Sequence, residues 1–327
     1  MPTTDPTGLT LDAICAAQRS IAPYVKRTPL VRSDSLSRRL DTNVYVKLEL
    51  FQKTGAFKVR GAFNRMLELT DEERRRGVVA VSGGNHAQAV ACAAQTLGLQ
   101  ALILMPETTP RNYVEATRGY GADITLVPTI ADAFAAVRAF EKEGRVFIHP
   151  FDDSLIMAGQ GTVGLEILED VPELTDVIVS IGGGGLACGV AVAIKTSKPE
   201  VRVWGVETEG ADSMSQALAA GHVVELAAIT SIARTLGAPA VSPATLALTQ
   251  QYLEGVTVVS DVEAVESLKF LLERLKVLTE PAASCTLAAA ERLRSKFSPE
   301  SHVVLILCGG NVALEDLSRW QPSQASE

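Results

Sequence analysis

Short apolar runs recur along the chain, separated by longer stretches with helical spacing. Val78–Val81, Ala101–Met105, Ile124–Val127 and Val146–Ile148 are such runs; each reads as a strand, and Val78–Val81 as a buried one. Ala87–Leu97, a segment through Glu115 and Arg118, and Ala131–Lys142 lie between them and read as helices. Alternation of strand and helix predicts a parallel, doubly wound sheet. Upstream, Leu9–Val25 carries apolar residues at helical spacing, Val44–Leu48 alternates like a strand, and a helix is expected through Met66 and Leu69. Asp71–Arg76 reads as a charged surface segment. A second alternating set begins after Pro150. It comprises a helix over Val163–Leu168, a strand over Val177–Ile181, a helix over Leu186–Ile194 and a strand over Val201–Val206. A helix over Glu263–Leu275 and a last strand over Val303–Leu307 complete it. No internal repeat or low-complexity segment is visible, and the end of the chain from Pro322 reads as frayed.

Three of these strands run into glycine turns. Val78–Val81 leads into Ser82-Gly83-Gly84-Asn85-His86, Val177–Ile181 into Gly182 to Gly185, and Val303–Leu307 into Cys308-Gly309-Gly310-Asn311. A tight turn at a helix start leaves backbone N–H groups free, which makes an anion site. Successive glycines carry a conformational-entropy cost that a plain connecting loop has no reason to bear. Gly182 to Gly185 therefore reads as a phosphate cradle. A second pattern overlaps it. Gly182-x-Gly184-x-x-Ala187, with Glu207 ending the next strand, also fits the dinucleotide fingerprint and would predict a nicotinamide-dependent oxidoreductase. That reading leaves the Ser82–His86 turn and one other stretch without work. In Thr54-Gly55-Ala56-Phe57-Lys58-Val59-Arg60-Gly61-Ala62, a lysine stands among small and apolar neighbours between two glycines. Burial there favours the neutral amine, which is a nucleophile able to form a Schiff base.

Composition narrows the class. A length of 327 residues suits about two domains. A net charge of −8 and a pI near 5.2 disfavour a phosphate-backbone partner, so no nucleic acid is expected. No charge-free apolar run is long enough to span a membrane, and Met1–Thr10 does not read as a signal peptide. The five cysteines form no CxxC pair, which fits a reducing cytoplasm rather than a disulfide framework. The four histidines form no HxxxH pair, so a histidine-built metal site is not expected.

Taken together, Thr54–Ala62, Ser82–Gln88, Gly182–Leu186 and Cys308–Asn311 resemble, in order and spacing, the fold-type II (tryptophan synthase β-like) pyridoxal-phosphate enzymes. The branch is that of threonine and serine dehydratases and serine racemase. Ile148–Asp153, Ala158–Thr162 and Glu280-Pro281-Ala282 extend the match, which runs from about Leu9 to Leu317. The resemblance implies an α/β fold of two doubly wound, largely parallel-sheet domains with the cofactor in the cleft between them. The large cofactor-binding domain would comprise residues 1–79 and 153–327, and the small domain residues 80–152. It implies pyridoxal 5'-phosphate, held by Lys58 through a Schiff base, with Lys58 then taking the substrate Cα proton. Phe57 would pack on the pyridine ring, Asn85 would bond the phenolic oxygen, and Gly182, Gly183, Gly184, Gly185 and Leu186 would cradle the phosphate. Ser82, Asn85, His86 and Ala87 would hold the substrate carboxylate, with His86 part of the turn rather than a base. Cys308 would face the ring nitrogen, and a thiol too weak to protonate it suits elimination.

The implied reaction converts an L-β-hydroxy amino acid, threonine or serine, to a 2-oxo acid and ammonia in a cytoplasmic homodimer. Ala56 stands where the family often has serine, Tyr113 where it usually has lysine, and the loop near Ala233–Thr235 is shorter and less acidic. Phenylserine or hydroxyaspartate therefore stay open as substrates. Serine racemase stays open too, although racemases carry a serine directly after Ser82, where this chain has Gly83. A small-ligand sensor on the same fold is a further reading, disfavoured by Lys58. Many relatives bind a divalent cation at positions corresponding to Glu207, Ala211 and Ser213. Serine in place of aspartate removes one hard oxygen, so a weakened divalent site or a monovalent ion is expected.

Overall fold

The computed structural model describes residues 8–320, so the frayed end expected from Pro322 lies outside the described residues. Two sheets organise the chain. Their strands are β1 (Leu30–Arg32), β2 (Asn43–Lys47), β3 (Val78–Val81), β4 (Ala101–Pro106), β5 (Asp123–Val127), β6 (Val146–Phe147), β7 (Asp176–Ser180), β8 (Arg202–Thr208), β9 (Gly255–Val259) and β10 (His302–Ile306). The larger sheet has the order β1-β2-β10-β7-β8-β9, and only β1 on its edge runs antiparallel to its neighbour. The smaller has the order β5-β4-β3-β6 and is parallel throughout.

Burial follows from this layering. All five residues of β7 and all four of β3 are buried, as parallel strands covered on both faces must be. The edge strand β5 is largely exposed. Helix Pro281–Arg292 packs on β7 to β10, and helix Gly185–Ser197 packs on β7, β8 and helix Ser154–Asp170. Helix Val59–Leu67 bridges the two sheets. It packs on Ser154–Asp170 from the larger half and on Asn85–Leu97 from the smaller. Phe63 and Met66 on this helix are fully buried in the same cluster as Val78, Ala80 and Ile103.

The expected elements differ from the observed ones in a few places. The first helix is shorter, Leu11–Ile21, with Thr10 as its N-cap. Asp71–Arg76 is a helix with a capping box from Thr70 and Glu73, acidic in its first turn and basic in its last. The helix expected over Val163–Leu168 begins nine residues earlier, at Ser154.

In each sheet the strand order turns back on itself at one point. Around β3 the chain proceeds first to β4 on one side and later to β6 on the other. Around β7 it proceeds to β8 and later places β10 on the opposite side. Crevices at the carboxyl ends of such strands are where open α/β sheets bind ligands. The three glycine turns follow β3, β7 and β10.

Candidate active site

Lys58 is the N-cap residue of helix Val59–Leu67, next to the buried ring of Phe57. Its Nζ is partly buried and donates to the Pro150 carbonyl at 2.6 Å. Burial lowers its pKa to about 8, against smaller opposing contributions from Cys308 and Glu280. The loop before it is shaped by Gly55, whose φ is +73° and whose Cβ position lies 2.6 Å from Asn311 Oδ1. An L side chain there would meet both a strained backbone and an occupied space.

Gly182 to Gly185 pass beneath two neighbours. A Cβ on Gly183 would lie 2.1 Å from the Phe151 ring, and one on Gly184, with φ +98°, would lie 2.7 Å from Thr245. Only glycine tolerates that approach. The amides of Gly182 to Leu186 have no acceptor among the described residues, and they precede or open helix Gly185–Ser197. This is a set of convergent donors at a positive helix end. Phe57, Lys58, Asn85 and Cys308 border the same cavity of about 50 Å³ as this turn.

After β3, Ser82 Oγ accepts from Gly84 N at 3.0 Å, which folds the turn into helix Asn85–Leu97. The first amides of that helix, those of Asn85, His86 and Ala87, also lack acceptors among the described residues. His86 Nε2–H donates to the Ile148 carbonyl at 2.8 Å, and its Nδ1 is buried without a partner. Burial, with Lys58 nearby, drops its pKa to about 3, so the ring is neutral at working pH. Ser82 and His86 line a wider cleft of about 650 Å³ that also reaches Lys58. Ala87 is fully buried.

Cys308 follows β10, and its carbonyl accepts from Phe57 N at 3.1 Å. Burial pushes its thiol pKa well above the ordinary value, and Glu280 and Cys285 push it further. Glu280 is the group that sequence reading passed over. It is only 3% exposed and lines the same cavity as Asn85. Asn85 Nδ2 donates to both its oxygens, at 2.8 and 3.1 Å, and Thr235 Oγ1 donates at 3.1 Å. Burial raises its pKa to about 7 despite these donors. Glu280-Pro281-Ala282 carried the only signal, because a glutamate before a proline-started helix has no local sign of burial.

Glu207, Ala211 and Ser213 lie together at the end of β8, apart from this cavity. Glu207 Oε1 accepts from Met214 N at 2.8 Å, and Oε2 accepts from Ser215 N at 2.8 Å and Ser215 Oγ at 2.7 Å. The carboxylate thus caps helix Ser213–Ala220. It is not presented to a ribose, as the dinucleotide reading needs. Burial raises its pKa to about 7, and Ser213 Oγ is buried without a partner.

The chain is similar to several known proteins. Over 313 residues the chain is 42% identical to an L-threonine ammonia-lyase of Thermotoga maritima, covering 95% of this chain and 78% of that protein. It is 37% identical to a catabolic L-threonine dehydratase of Staphylococcus aureus, covering 95% and 91%. Among solved structures, that of maize serine racemase superposes with a TM-score of 0.90 at 40% identity, covering 95% of this chain and 96% of that one. The family model described as pyridoxal-phosphate dependent enzyme matches residues 21–309, nearly the whole described structure. The chain belongs to the pyridoxal-phosphate dependent enzymes.

Proposed function

We propose that the protein is an ammonia-lyase that converts L-threonine or L-serine to a 2-oxo acid and ammonia. One observation carries the reading: Lys58, the acceptor-free amides of Gly182 to Leu186 and the protonated Cys308 thiol meet around one cavity. The lyase and dehydratase relatives support the reaction class.

The residues present fit the cofactor. The Gly182–Leu186 amides would hold its phosphate, Phe57 would lie against its ring, Asn85 would bond its phenolic oxygen, and Lys58 would carry it covalently. When bound, pyridoxal phosphate supplies an electron-withdrawing ring that acidifies the Cα–H of an amino acid joined to it. Ser82 and the amides of Asn85, His86 and Ala87 would hold the substrate carboxylate at the helix start. Lys58 Nζ would remove the Cα proton, since a pKa near 8 leaves part of it neutral at neutral pH. His86, neutral and tied to Ile148, would shape the turn and move no proton. Cys308 keeps its own proton, so it would put no full charge on the ring nitrogen, which would suit loss of the β-hydroxyl as water. A panel of threonine, serine, phenylserine and hydroxyaspartate, scored for oxo acid and ammonia, tests the assignment. No oxo acid from any of them would sink it.

A serine racemase is the second reading, favoured by the likeness to the maize racemase structure. Returning a proton to the opposite face needs a second acid, and Gly83 has no side chain to supply one. Its Cβ position lies 2.5 Å from Thr109 Oγ1, so that space is already filled. L-Serine is therefore expected to give pyruvate and ammonia with little D-serine on chiral chromatography. Gly83→Ser combined with Thr109→Ala is expected to racemise faster than Gly83→Ser alone, because Thr109 must otherwise move. D-Serine accumulating as fast as pyruvate in the unmodified enzyme would overturn the lyase assignment.

The cation site is part of the proposal as a weak one. No group of three or more His, Cys, Asp and Glu able to hold a metal occurs among the described residues, and Glu207 is already committed to three donors. Chelation is expected to lower activity by no more than about twofold, since one hard anionic ligand is missing. Magnesium or calcium retained stoichiometrically through dialysis would contradict this. The proposal also includes a cytoplasmic homodimer. The dimer rests on the resemblance, and the cytoplasm is supported by five free cysteines. Light scattering should return about twice the chain mass of 34.7 kDa.

A further inference from the structure

Tyr113 lies in helix Arg111–Gly119, which follows β4 beside the smaller sheet. It is 9% exposed. Its hydroxyl donates to the backbone carbonyl of Asn311, in the turn after β10 of the larger sheet. Burial, followed by Glu280 and Asp316, pushes the phenol far above its ordinary pKa, so it remains a donor at every working pH.

Asn311 passes the contact on along two branches. Its Nδ2 donates at 2.8 Å to the Thr54 carbonyl, in the loop that leads to Lys58. The same nitrogen donates at 2.8 Å to Asn85 Oδ1. A side-chain amide can face either way, and its partners decide which. The Thr54 carbonyl only accepts, so it fixes Nδ2 of Asn311 on that side. Asn85 must then present its oxygen to Asn311, which turns its own Nδ2 to Glu280. Gly55 is moulded to the same side chain: its Cβ position lies 2.6 Å from Asn311 Oδ1, and Gly310 N donates to the Gly55 carbonyl at 2.9 Å. Among the described contacts, Tyr113 is the side chain that holds the Asn311 backbone from the smaller sheet's side.

We propose that Tyr113 is a positioning residue, which holds the Asn311 turn in place and through it sets the orientation of Asn85 toward the bound cofactor. The inference rests on the reading that Asn85 bonds the cofactor. It adds that this bond is set from the smaller sheet's side, through a phenol that bonds the Asn311 carbonyl.

The test uses the holoenzyme. Tyr113→Phe removes the hydroxyl and keeps the ring. Its cofactor is expected to be lost on dialysis about tenfold faster, the scale of one hydrogen bond. The visible absorption maximum should move as well. A residue that merely packed would lower the melting temperature and leave both readouts at their native values. Asn311→Ala cuts the same link one step nearer and should change both readouts. The double variant should be no worse than Asn311→Ala alone, since the two act in series. Native spectra and native cofactor loss in Tyr113→Phe, or additive effects in the double variant, would overturn the proposal. Should Tyr113→Phe not fold, native readouts in Asn311→Ala would overturn it equally. Asn85→Ala separates this inference from the reading beneath it. If Asn85→Ala is silent, both fall. If it changes the spectrum while Tyr113→Phe does not, only the role of Tyr113 falls.

Discussion

Replacing Lys58 by alanine is expected to abolish both the covalent cofactor adduct and turnover, a loss of at least about 10³-fold. The expectation follows from the position of the amine. Lys58 lines both a cleft of about 650 Å³ and the smaller cavity bordered by the Gly182–Leu186 turn. Its surroundings are the Phe57 ring, 5.2 Å from Nζ, and the Pro150 carbonyl, which accepts its hydrogen bond. Lys58 is the only primary amine among the described residues that line either space. His86 is tied to Ile148, and Cys308 holds its proton too tightly to act as a base. The native protein should be yellow as purified and should show the cofactor's added mass on the peptide containing Lys58. Lys58→Ala should lose that mass while keeping affinity for free pyridoxal phosphate through the Gly182–Leu186 amides, which the substitution does not touch. Lys58→Arg retains the charge but forms no Schiff base, so it should resemble Lys58→Ala. A colourless native protein that binds NAD at the glycine turn would refute the assignment.

The parts of this site that were legible in the sequence are those set by local rules. A lysine between glycines, and glycine turns at strand ends, carry their reasons within a few residues: free amides, left-handed φ and close approach. What was not legible depends on residues far apart in the chain. Glu280 and Asn85 are separated by 195 positions, and neither has a local sign of the other. The same holds for Phe151, whose ring explains why position 183 must be glycine. Helix Ser154–Asp170 shows its pattern only from Val163 because its first turns carry Gly159 and Gly161, which weaken any helical signal. Those glycines are contact points. A Cβ on Gly159 would lie 2.6 Å from Gly61 Cα, and one on Gly161 would lie 2.8 Å from the Gly189 carbonyl. Helix Pro281–Arg292 escaped for the opposite reason. It is buried through Ala290 and has almost no polar face, so it lacks amphipathic periodicity. Strand β1, three residues long on an edge, and β9, largely half-buried, gave little pattern to read.

The second large effect is expected two residues beyond the lysine. Arg60 is 1% exposed and lies in a closed set of charges. Its Nε and Nη2 bond Glu49, both at 2.8 Å. Its Nη1 and Nη2 bond Glu166 at 2.7 and 3.0 Å. Lys47 completes the set, donating to Glu166 at 2.6 Å and to the Thr28 carbonyl at 2.8 Å. Two cations and two carboxylates balance, and the set ties β2, the turn Glu49–Phe51, the lysine helix and helix Ser154–Asp170 together. Removing Arg60 leaves two buried carboxylates facing one lysine. Breaking a buried pair in this way costs about 3–5 kcal/mol. Arg60→Ala should therefore lower the melting temperature by roughly 10 °C. Arg60→Lys should fall between the two, since it restores charge without the planar fork that reaches both carboxylates.

The pH dependence follows from Glu166. Burial alone would raise its pKa, but the charges and hydrogen bonds of Arg60, then Lys47, outweigh burial and hold it below the ordinary 4.5. A lowered carboxyl pKa contributes stability above the unfolded value, and that contribution is lost as the pH falls through the folded one. In Arg60→Ala the Glu166 carboxylate loses its largest stabilising partner and can instead take up a proton. The stability gap between variant and native protein should thus be largest near pH 7 and narrow below about 4.5. Thermal melts of the holoenzyme at both ends of that range decide the matter. A melting temperature at pH 7 within about 2 °C of native would show that the set is worth less than its burial requires. A gap that widened in acid would show that Glu166 was not held charged by Arg60.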